Sequence, residues 1–102
     1  MEEKETDFNL LRRIEKNPNY TQRKLSTEMV ISLGKVNYCL RRLIEKGWVK
    51  VHNFNNSENK SAYVYLLTPK GIEEKSKLTY HFLQRAMNEY DQLKKEINNL
   101  KK

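Results

Sequence analysis

Apolar residues recur along the chain at helical spacing, then in alternation, then again at helical spacing, and these changes of period divide it into elements. Phe8, Leu10, Leu11 and Ile14 predict a first helix, capped by Asp7 or Thr6 and stopped at Asn17-Pro18. This helix covers the core. Thr21 then reads as an N-cap, with Tyr20 before it and Leu25 at the fourth helical position in the manner of a hydrophobic staple, so a second helix starts at Gln22. Leu25 and Met29 face inward. Ser32 is the next cap, and from Leu33 to Lys46 the pattern separates into two faces. At about 100° per residue, Leu33, Val36, Leu40, Leu43 and Ile44 fall on one side, while Lys35, Tyr38 and Arg42 gather on the other. The turn between these two helices carries Met29, Val30 and Ile31 where a glycine would supply a left-handed residue, a conformation that β-branched side chains disfavour.

Gly47 reads as a left-handed cap. Beyond it, Trp48 to Phe54 and Ala62 to Thr68 alternate as two strands, with Asn55 to Lys60 as a polar turn and with Trp48 and Tyr63 packing the hairpin on the helices. Thr68-Pro69 opens a last helix that meets no strong breaker through Lys102. The fold class is mainly α with a small β-hairpin (α+β): a winged helix-turn-helix over residues 1–68, followed by a long C-terminal dimerisation helix over residues 69–102. The tail fits a heptad frame with Leu83, Tyr90 and Ile97 at a, and Ala86, Leu93 and Leu100 at d. In a parallel pair Glu89 meets Lys94 of the other copy, and Glu96 meets Lys101, both attractive. Ile72, Leu78, Tyr80, Phe82 and Met87 are left to pack on the first helix or on the partner domain.

Charge sharpens the picture. The chain has 102 residues and a formal net charge of +7, and residues 20–50 carry seven basic against two acidic groups. Cationic charge concentrated on the helical pair is the footprint expected of a nucleic-acid binder, because neutralised phosphates release their counterions. One small domain with a modest core gains from a second subunit. No apolar run approaches the roughly 20 residues that cross a bilayer, which argues against a membrane role. A single cysteine, Cys39, and no charged-then-apolar leader fit a reducing cytoplasm, with Cys39 as a small core residue. Cys39, His52 and His81 lack metal-ligand spacing, so neither a metal nor a cofactor is expected. The chain offers no nucleophile with a base, no acid pair and no phosphate loop, which argues against an enzyme.

The string Leu33-Gly-Lys-Val-Asn-Tyr-Cys-Leu40, followed by Leu43-Ile-Glu-Lys-Gly47 and Leu67-Thr-Pro-Lys-Gly-Ile72, resembles the MarR family of bacterial winged-helix transcriptional regulators. More narrowly, residues 37–40, 66–75 and 89–93 resemble its short subgroup associated with exopolysaccharide and capsule gene clusters. The likeness runs from about Leu10 to Leu100. It implies a cytoplasmic homodimer that binds double-stranded DNA and regulates transcription, with a role in surface-polysaccharide expression. The wing departs from the family pattern, since Asn53 to Lys60 contain no arginine. Larger members add terminal helices that build a ligand pocket, and this chain has only Phe8 to Lys16 and the tail, so the resemblance leaves open whether a small-molecule effector acts here.

Each side chain then takes a role. Lys35 and Tyr38 reach base edges near the start of the recognition helix, Asn37 lies at its flank, and Arg41 and Arg42, a turn later, touch guanine or phosphate. Gly34 leaves room for close approach, and Ser32 belongs to the same edge, first as a cap. Gln22 and Arg23 meet phosphates from the start of the second helix, and Lys60 meets the backbone or minor groove from the wing. Two such helices entering successive major grooves about 34–36 Å apart predict a pseudo-palindromic operator. The alternative is a winged-helix module that binds protein without specific DNA recognition.

Overall fold

The structure, a computed structural model, describes residues 2–54 and 62–101. Six elements follow one another: α1 (Glu3–Lys16), α2 (Gln22–Met29), α3 (Leu33–Glu45), β1 (Val49–Phe54), β2 (Ala62–Leu67) and α4 (Pro69–Leu100). This is a winged helix-turn-helix with a long C-terminal helix. The strands pair antiparallel, with Val49 opposite Leu67 and Val51 opposite Tyr65.

Local signals set most of the boundaries. The hydroxyls of Thr21, Ser32 and Thr68 accept from the backbone N–H groups of Lys24, Lys35 and Gly71, each at 3.0 Å, and so satisfy donors that the first turn of a helix leaves unpaired. Gly47 adopts φ 76° and lets the chain leave α3 for β1. The first helix departs from expectation. It begins at Glu3, with Glu2 at the N-cap position and no side-chain cap, where Glu3 and Glu5 oppose the positive end of the helix dipole. Thr6 and Asp7 are therefore inside the helix and buried, and the Thr6 hydroxyl donates back to the Glu2 carbonyl at 3.0 Å.

The core gathers Leu10, Leu11 and Ile14 of α1, Leu25 and Met29 of α2, Val36, Cys39, Leu40 and Leu43 of α3, Val49 and Tyr65. Trp48 is half-buried against it, whereas Tyr63, on the same strand face as the buried Tyr65 but two positions nearer the hairpin turn, is exposed. The turn between α2 and α3 is resolved by strain. Val30 takes the left-handed conformation at φ 55° and ψ 47° with 87% of its surface exposed. The Ser26 hydroxyl donates to the Ile31 carbonyl and the Ile31 N–H donates to the Ser26 carbonyl, which fixes the turn from both sides while Met29 enters the core.

Only the start of α4 belongs to this body. Its first turns are held at the α3–β1 corner, where the Thr68 hydroxyl donates to the Gly47 carbonyl and its N–H donates to the Trp48 carbonyl at 3.0 Å. Gly71 passes so close that a Cβ there would lie 1.9 Å from the Trp48 carbonyl oxygen. Leu78 packs on the core, Phe82 stacks on Phe8 with centroids 5.0 Å apart, and Lys75 reaches Glu15 at 2.6 Å. The helix then runs on into solvent, which stretches the molecule to 69 × 26 × 20 Å. Ile72, Tyr80 and Met87 do not pack on α1 but are exposed.

Candidate nucleic-acid interface

The exposed side of α3 presents Gly34, Lys35, Tyr38 and Arg41 together. Burial explains why these four point outward: Val36, Cys39, Leu40 and Leu43 are all inside, and a helix buries one arc and exposes the opposite one. The buried arc is turned from the one expected. Cys39 is buried as expected, but Leu33 is exposed and Ile44 is only half-buried, so the helix is rotated about its axis from the face that the apolar period marked.

That rotation removes Arg42 from the basic face, a correction to the sequence reading. Its side chain is 14% exposed, donates from Nη2 to the buried Asp7 carboxylate, and places Nη1 3.0 Å from Glu3 Oε1. Burial pushes the Asp7 carboxyl above its ordinary value of 3.8, against the pull of Arg42. For Arg42 burial works to lower the guanidinium, but Asp7 and Glu3 outweigh it and hold it above its usual range. Arg42 ties α3 to α1 and is committed to the protein. Asp7 was the residue missed, and its signal was present: it lies three, four and seven positions before Leu10, Leu11 and Ile14, on the same helical face.

Three of the remaining cations are uncommitted. Among the described residues, Arg23, Lys35 and Arg41 have no ion-pair partner, and all three are exposed. Lys24 leans over Tyr20 and lies 4.0 Å from Glu28, while Lys46 covers Trp48. A Cβ built on Gly34 meets nothing within 4 Å, so the chain itself does not require a glycine there. Ser32 caps α3 through its side chain. Gln22 and Asn37 are half-buried and joined, Asn37 Nδ2 donating to Gln22 Oε1 at 3.3 Å. Lys60 and the rest of the turn between the strands lie outside the described residues. The heptad positions Leu83, Ala86, Tyr90, Leu93, Ile97 and Leu100 are all exposed along α4. Among the described residues no cluster of metal-ligating side chains occurs, and no helix is long and apolar enough to cross a membrane.

Residues 3–50 match the winged helix-turn-helix DNA-binding family. No curated protein matches the chain in sequence. Among solved structures it is similar to a MepR mutant from S. aureus, with TM-score 0.67 and 17% identity over 90% of this chain and 65% of that one. It is also similar to Streptococcus pneumoniae FabT in complex with DNA, with TM-score 0.57 and 25% identity over 85% of this chain and 55% of that one. Staphylococcus aureus MarR in complex with salicylate and kanamycin gives TM-score 0.56 and 28% identity over 92% of this chain and 66% of that one. The chain thus spans two thirds or less of the length of these three structures.

Proposed function

We propose that this chain is a MarR-family transcriptional regulator that binds a pseudo-palindromic operator in double-stranded DNA as a homodimer, in the cytoplasm and without enzymatic activity. The observation that carries the reading is the exposed face of α3, where Lys35, Tyr38 and Arg41 stand beside a glycine that nothing in the chain requires. Arg and Lys reach guanine O6 and N7 or phosphate, and an open backbone position lets the helix lie close to the groove. Arg23, at the start of α2, adds phosphate contact. The likeness to a FabT structure solved with DNA supports this assignment.

Residues 1–68 form the reading unit in this proposal and residues 69–102 pair two chains. Supporting the second half is the stripe on α4, where Leu83, Tyr90, Leu93, Ile97 and Leu100 are each more than half exposed without covering any core of their own chain. A contiguous apolar stripe left in water is the mark of an interface. The narrower role, control of exopolysaccharide or capsule genes, is supported by the Asn37-to-Leu40 and Leu66-to-Lys75 strings.

A titration at physiological salt tests the reading with DNA from the chain's own promoter region and random duplex of equal length. Specific binding at least ~10³-fold tighter than to random duplex is expected. Equal affinities overturn it, and would turn attention to a protein partner for the same face.

A further inference from the structure

Tyr65 stands where three elements meet. Its ring is in the core at 6% exposure, its backbone N–H donates to the Pro18 carbonyl at 3.2 Å, and its hydroxyl accepts from Gln22 Nε2 at 3.1 Å. Gln22 Oε1 accepts in turn from Asn37 Nδ2. A continuous set of hydrogen bonds therefore runs from β2, through the first residue of α2, to the second turn of α3. It ends at the flank of the exposed face.

A surface amide samples several rotamers and both orientations of its oxygen and nitrogen. Here each amide is half-buried and bonded to a neighbour whose own position is set, so the order is present before any ligand arrives. With one Nδ2 hydrogen taken by Gln22, Asn37 keeps its Oδ1 and a second Nδ2 hydrogen for a partner. That acceptor and donor match the N6 amino group and N7 of adenine in the major groove.

We propose that Tyr65 is a positioning residue for DNA reading: its hydroxyl fixes Gln22, Gln22 fixes Asn37, and the fixed Asn37 amide selects adenine at one position of each half-site. The inference rests on the assignment of α3 as the DNA-reading helix. Phenylalanine at residue 65 keeps the ring and its packing and removes the hydroxyl alone. Gln22 then turns to water, and Asn37 loses its imposed orientation while the fold persists.

The experiment selects bound duplexes from a random-sequence pool and sequences them before and after, using the full chain, Tyr65→Phe, Gln22→Leu and Asn37→Ala. The unaltered chain is expected to enrich one motif. Tyr65→Phe keeps that motif but loses the adenine preference at a single position of each half-site by about tenfold. Its melting temperature stays close to that of the unaltered chain. Asn37→Ala loses the same position, and Gln22→Leu, which cuts the same connection outside the core, does so too. Tyr65→Phe and Gln22→Leu motifs identical to the unaltered one, or a loss of affinity spread evenly over all positions, would overturn the inference while leaving DNA reading intact. An unenriched pool for the unaltered chain would sink both.

Discussion

Asp7 and Arg42, separated by 35 positions in sequence, form a largely buried ion pair that joins α1 to α3. Its consequence is a division of labour among the cations of α3. Arg42→Ala is expected to lower stability and Lys35→Ala to leave it unchanged, whereas Lys35→Ala weakens DNA binding and reduces its salt slope by about one. Asp7→Ala leaves the largely buried guanidinium with only the exposed Glu3 as a counter-charge and costs about 3 kcal/mol at neutral pH, most of which the double variant Asp7→Leu/Arg42→Met recovers. Urea unfolding of the four variants checks this, and DNA titration over a range of salt separates Lys35 from Arg42.

The same pair gives a pH signature. Asp7 is raised from 3.8 in the folded chain, mainly by burial, so just above pH 3.8 the native state binds more protons than the unfolded one. Stability from this site is fully present below 3.8 and declines as pH rises through the folded value. Asp7→Asn removes that decline, which urea midpoints measured from pH 3.8 upward will show as a flatter profile over the window.

Val30 occupies a left-handed conformation with its side chain in solvent, so it bears backbone strain and returns little packing. Asn accepts that conformation far more readily than a β-branched residue. Val30→Asn is expected to stabilise the chain by about 1 kcal/mol, which corresponds to about 4–8 °C in Tm for a domain near this size. A calorimetric scan checks it, with Val30→Ile as the variant that keeps the strain.

Gly71 has no room for a methyl group because the obstacle is the Trp48 backbone, which no rotamer change can clear. Gly71→Ala is expected to cost about 1–3 kcal/mol and to lift the start of α4 from the α3–β1 corner. Gly34→Ala is the contrast. It gains up to about 1 kcal/mol of helix stability in open space, yet lowers DNA affinity by placing a methyl group on the reading face. Melting curves and DNA titrations of both variants give opposite patterns if these two glycines serve different contacts.

Leu93 and Ile97 are half exposed on the part of α4 beyond the core. Charging both, as Leu93→Glu/Ile97→Glu, is expected to yield a monomer with an unchanged winged helix and an operator affinity about 10²–10⁴ lower, since the second reading unit is no longer tethered. Sedimentation checks the state of assembly. A double variant that remains a dimer moves the interface away from this stripe.

What the sequence by itself determined is local. Thr21, Ser32 and Thr68 cap helices within three residues of themselves, Gly47 supplies its own left-handed turn, and strand alternation and helix period are read over a few neighbours, so α2, α3, both strands and the start of α4 were legible. Lys35 and Tyr38 of the exposed α3 face were legible for the same reason, whereas Arg42, which the same period set beside them, turned inward. Only the tertiary structure decided which way α3 is rotated, because that angle is set by what α1 offers, and an aspartate there drew Arg42 inward. It likewise decided the Tyr65–Gln22–Asn37 connection and the need for glycine at residue 71. These contacts join separate elements, and a periodic pattern specifies which face of a helix is buried but not the neighbour that meets its edge.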